Sequence, residues 1–192
     1  MHRDIERLLA GQIDTVRFGP DTDSGQHTAA LIFPGSFNPL HDGHRRMAHI
    51  AAERMGLVVE FEISVAIVDK PTLAAAEIGN RLKQFDAKTP VWFSRATTFV
   101  EKAQIFPAST MIIGVDTLVR LGAIRYYQNR AARDSAIMKL ADLQCRFLVF
   151  GRVIDGRFQT LEMLDLPHGV EKLCDGVPAE VFRNDCSSSS LR

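Results

Sequence analysis

Residues 29–55 read AALIFPGSFNPLHDGHRRMAHIAAERM, and no other stretch limits the fold as sharply. The apolar run closed by Pro34 and Gly35 reads as a buried strand. Residues 43–55 place Met47, Ile50, Ala51 and Met55 on one side of a helix, with Gly56 as its stop. Between strand and helix lies a turn of small and turn-forming residues that carries His41 and His44. A strand that passes through such a turn into an amphipathic helix is the unit from which parallel sheets are built.

The alternation continues down the chain. Strands are expected at 59–68, 91–94, 110–115, 146–153 and 179–184, and a hairpin return at 156–164. Helices are expected at 77–85, at 97–106 before Pro107, and within 128–142. Ile5, Leu8 and Leu9 predict a short helix at the start, and Gly19 to Thr28 reads as a linker. The expected organisation is an N-terminal helix and linker over 1–27, followed by one α/β domain over 28–192. Ligands of open parallel sheets bind at the carboxyl ends of the strands, which directs attention to the residues after 33, 68, 94, 115 and 184.

Composition narrows the chemistry. Lys plus Arg equals Asp plus Glu, 23 each, so no overall field draws the chain to nucleic acid or to an anionic membrane. Neither is expected as a partner, and an anionic ligand must be held by a local site. Three dispersed cysteines form no disulfide framework or metal pattern, and the charged start MHRDIERLLAGQ has no apolar leader core. A cytoplasmic protein is expected.

In PGSFNPLHDGH, Pro34 to His44, the Gly35-Ser36-Phe37 turn lets backbone N–H groups approach a phosphate. His41 and His44 stand three apart at a helix start, where free N–H groups and the helix dipole favour anions. A zinc site would need further ligands, and His2, His27, His49 and His168 lack the spacing. The eleven residues resemble the HxGH signature of the nucleotidylyltransferase superfamily. They are most similar to the form seen in nicotinate and nicotinamide mononucleotide adenylyltransferases. The resemblance implies a Rossmann-like α/β fold, doubly wound and mostly parallel, with helices on both faces. It also implies attack on the α-phosphate of ATP or CTP by a small phosphorylated acceptor, with pyrophosphate released. His41 and His44 would contact the triphosphate, Gly35, Ser36 and Phe37 would line the nucleotide site, and Mg2+ would accompany the triphosphate; no metal site of the protein itself is expected.

Four further places carry the resemblance. Lys70, in AIVDKP, matches the position of a phosphate-binding lysine, or is an exposed turn lysine. GVD, Gly114 to Asp116, resembles the family's GxD motif; Asp116 would touch a ribose or the acceptor, or cap the next helix. Tyr126 lies in RYY, where relatives carry a tryptophan that stacks on the pyridine ring. CSSSSLR resembles ISSTxIR, so Ser187, Ser188, Ser189 and Arg192 would grip the phosphates at a helix start, ordered by bound nucleotide. DKPT, TTFVEKA and the YY pair are also similar to a cytidylyltransferase-like branch. Adenylyl transfer, cytidylyl transfer to a phosphorylated alcohol, and a nucleotide-binding regulator without an acceptor site are the readings left open; oligomeric state is not readable.

Overall fold

The computed structural model describes residues 2–20, 30–66 and 72–183. A helix α1 (His2–Leu9) and a strand β1 (Thr15–Phe18) precede the alternating part. There follow β2 (Leu31–Pro34), α2 (Asp42–Met55), β3 (Val59–Ser64), α3 (Ala75–Leu82), β4 (Val91–Ser94) and α4 (Phe99–Ile105). Next come β5 (Thr110–Gly114), α5 (Val115–Gly122), α6 (Arg130–Asp142) and β6 (Arg146–Phe150). The hairpin β7 (Arg152–Ile154) and β8 (Arg157–Gln159) leads to β9 (Cys174–Val177). No described helix is long and apolar enough to cross a membrane.

Seven strands form one sheet in the order β1-β4-β3-β2-β5-β6-β9. Every neighbouring pair is parallel except β1 with β4. The chain runs outward from β2 through β3 to β4, then returns to the other side of β2 for β5, β6 and β9. That reversal leaves a crevice between the carboxyl ends of β2 and β5, where no crossover covers the sheet.

Alternate residues of each central strand face opposite ways, and both faces are covered. Leu31, Phe33, Ile112, Leu148 and Phe150 pack with Leu8, Ala51 and Ile78 of α1, α2 and α3. Ile32, Met111, Ile113, Phe147 and Val149 pack with Ala103, Leu118, Ile137 and Leu140 of α4, α5 and α6. The fold is the expected Rossmann-like α/β arrangement, doubly wound with helices on both faces.

Three local expectations are corrected. RFLVFGRV is two strands: β6 stops at Phe150, and the chain folds over at Gly151 so that β7 pairs with β8 and not with the main sheet. AEVFRN is not the last strand where it is described. Pro178 accepts from the N–H groups of Val181 and Phe182, both at 3.1 Å, which makes a turn; the strand is Cys174–Val177, paired with β6. The first twenty residues are more than a helix and linker. They supply β1, and Ile5, Leu8 and Val16 enter the same core as β2.

Candidate active site

Gly35 continues β2 toward β3, its N–H donating to the Glu62 carbonyl at 2.9 Å. Phe37 follows with φ 43°, a left-handed conformation that a bulky residue adopts at a cost of about 1–3 kcal/mol. Packing offsets that cost. The Phe37 ring is buried edge-on against Phe33, Phe61, Phe85 and His44, with centroids 5.0–5.9 Å away. A Cβ on Gly35 would lie 2.6 Å from this ring, so only glycine leaves room for it. Asn38–Pro39 is cis. The turn is therefore anchored by a buried aromatic ring.

His41 caps α2 in extended conformation, and His44 sits one turn in. Their rings stack with centroids 3.7 Å apart and planes 22° from parallel. The His41 backbone N–H donates to His44 Nδ1 at 3.4 Å, so the proton of the neutral His44 ring is on Nε2. Burial, then His41, then Arg152 push the His44 pKa down to about 3. His41 is also lowered, by burial first and Arg152 second, against the pull of Asp42. Both imidazoles are thus held as neutral donors, poised to gain charge when anions arrive.

These histidines line a cavity of about 300 Å³ at the reversal point, with Gly35, Ser36, Phe37 and Gly114. The cavity also takes in Thr117, Arg120 and Arg152, none of which was foreseen from sequence. Arg152 does follow a strand end, but the strand-like pattern of RFLVFGRV runs on past that end and conceals it. Asp116 is the second residue of α5; Gly114 takes the cap position, so Asp116 is not the cap. Asp116 Oδ1 lies 3.6 Å from an Arg152 guanidinium nitrogen and, though buried, accepts no hydrogen bond among the described residues. A carboxylate and a guanidinium so loosely paired can each turn to a ligand.

Tyr126 is 54% exposed under the Arg125 guanidinium and does not line the cavity. Lys70, Ser187, Ser188, Ser189 and Arg192 lie outside the described residues. The described chain does return to the cavity at Phe182, which lines it and packs edge-on against Phe150 at 5.1 Å. A larger groove of about 1150 Å³ lies on the far side of α5, lined by Ile124, Met138 and Met163 among others, and none of the described candidates opens on it.

The cytidylyltransferase-like family model matches residues 32–192, from β2 through CSSSSLR. A protein of Gloeobacter violaceus named "Probable nicotinate-nucleotide adenylyltransferase" is 30% identical over 173 residues, 84% of this chain and 81% of that protein. With the match running through the histidine turn, the reversal point and the serine-rich end, this chain belongs to the cytidylyltransferase-like family of the nucleotidylyltransferase superfamily.

Proposed function

We propose that this nucleotidyltransferase moves the adenylyl group of ATP onto nicotinate or nicotinamide mononucleotide and releases pyrophosphate. The observation that carries the reading is the meeting of His41, His44 and Arg152 in one cavity at the reversal point of the sheet. The relative's name suggests the acceptor. In the reaction an acceptor phosphate oxygen bonds to the α-phosphorus while the bond from that phosphorus to the bridging oxygen breaks. The electron pair leaves with pyrophosphate, and no covalent enzyme intermediate forms. Positioning two anions and stabilising the charge between them is then the main task of the protein.

His44 Nε2–H is the donor suited to a phosphate oxygen where negative charge builds, and Arg152 and Arg120 offset the remaining charge. Lys70, the serines Ser187 to Ser189, and Arg192 are proposed as further phosphate ligands, and Asp116 as the group that receives a hydroxyl; Tyr126, exposed outside the cavity, is left without a role in it. Mg2+ would be carried largely by the triphosphate, where it would neutralise phosphate charge.

The test is pyrophosphate release over ATP, CTP and GTP crossed with the two mononucleotides and phosphorylated alcohols, products identified by mass. ATP with a pyridine mononucleotide should give the dinucleotide, and His44→Ala should lower kcat by about 10²–10³-fold. CTP consumption with a phosphorylated alcohol would replace this reading by cytidylyl transfer. Phosphate release without a dinucleotide would point to the regulatory one.

A further inference from the structure

Two side chains behind the histidine turn have no part in the reaction as described. Arg81, in the last turn of α3, is buried and donates from one terminal nitrogen to the Ser36 carbonyl at 2.7 Å. Its other terminal nitrogen is held by Glu77 one turn earlier, at 2.5 Å. Gln84, just past the end of α3, bridges the same turn. Its amide nitrogen donates to the Phe37 carbonyl at 2.9 Å, and its oxygen accepts from the Leu40 N–H at 2.8 Å. Neither residue lines the cavity, whereas Ser36 and Phe37 do. The turn is gripped on the side away from the cavity.

A trans peptide is planar, so its carbonyl and the following N–H point in opposite directions. The only cis bond described is Asn38–Pro39, so this geometry applies to the Ser36–Phe37 and Phe37–Asn38 peptides. Fixing the carbonyls of Ser36 and Phe37 toward α3 turns the N–H groups of Phe37 and Asn38 away from it. We propose that Arg81 and Gln84 are positioning residues that clamp two carbonyls of the turn so that the amides of Phe37 and Asn38 are presented as donors to phosphate oxygens of the triphosphate. The Arg81 charge acts through the peptide: a charge-assisted bond to the Ser36 carbonyl polarises that amide and strengthens its N–H as a donor. The guanidinium itself stays off the ligand. This assignment rests on the phosphate-binding reading of the turn, and it is independent of which base or acceptor is used.

The probe is inorganic tripolyphosphate, titrated into the full chain by calorimetry. Gln84→Met, which keeps the length of the side chain and removes both of its bonds to the turn, should weaken binding by about tenfold. Arg81→Met should weaken it at least as much, and Arg81→Lys should recover part of the loss because one donor to Ser36 remains. A merely structural role would lower the thermal midpoint and leave the affinity of folded protein unchanged. Because Arg81 is buried and its variants can fail to fold, the wild-type protein supplies a second measurement. Its Phe37 and Asn38 amide resonances should shift when tripolyphosphate is added. Wild-type affinity in folded Gln84→Met, unmoved amides, or no tripolyphosphate binding by the wild type would each overturn the clamp. Weakened variants in a protein that transfers no nucleotidyl group would leave the clamp standing and sink the proposed function.

Discussion

With Nδ1 of His44 accepting from the His41 backbone, protonating His44 means breaking that bond and charging a half-buried ring beside Arg152. The folded protein resists the proton down to about pH 3, whereas an unfolded histidine takes it up near 6.5. Above 6.5 both states are neutral and His44 contributes no pH dependence. As pH falls from 6.5 toward 3 the unfolded state binds a proton that the folded state does not, so stability declines through that window. The interval from pH 6.5 to 5 isolates the histidines, since lowered carboxylates such as Glu101 lose their contribution only below their ordinary value of 4.5. The thermal midpoint of the wild type should fall across this interval more steeply than that of His44→Gln. Saturating triphosphate should flatten the wild-type slope, because an anion beside the ring favours its protonated form. Parallel slopes for the two proteins without ligand would refute the neutral, half-buried state.

Among the elements, β3 explains how a polar alternation became part of a covered face. In VEFEIS the apolar residues Phe61 and Ile63 join the core, and Glu62 between them points to the opposite face. There α4 covers it: Lys102 donates to Glu62 at 2.6 Å and to Ser64 at 2.6 Å, and Ser94 of β4 donates to Glu62 at 2.6 Å. Glu62 is 0% and Lys102 6% exposed. Lys102→Met should cost about 3–5 kcal/mol in denaturant unfolding by stranding the carboxylate, and adding Glu62→Leu should restore much of it. A single variant near wild type would mean that the pair is solvated. The same element shows what the sequence could and could not tell. The histidine turn was legible because Gly35, Ser36 and the paired histidines form one uninterrupted local unit. The ion pair spans 40 positions, and no local pattern joins its ends. Strand ends were hardest: FLVFGRV is uniformly strand-like until tertiary folding breaks it at Gly151. Asp175 and Gly176 are poor strand formers, yet β9 forms because β6 offers an edge to pair with.

For the whole molecule, the question is whether the first twenty residues are an appendage or part of the cooperative unit. β1 pairs with β4 over Thr15–Phe18 and closes one edge of the sheet. Arg95, just past β4, donates from its backbone to the Asp14 carbonyl at 3.0 Å and from its side chain to the Leu8 carbonyl at 3.2 Å. Leu8 is fully buried in the cluster that holds Phe33 and Phe37, the residues beneath the histidine turn. Contacts of this kind tie the segment to the central strands, so it should unfold with them. Leu8→Ala should therefore cost about 2–5 kcal/mol and lower the midpoint of one shared transition by about 2–4 °C for each kcal/mol lost. Hydrogen exchange reports the same coupling residue by residue. Amides of β2 and β5, far from residue 8 in sequence, should lose protection by the same free energy as those of β1. If only α1 and β1 exchanged faster while the central strands kept wild-type protection, the segment would be a separately melting cover, and the histidine turn would owe nothing to it.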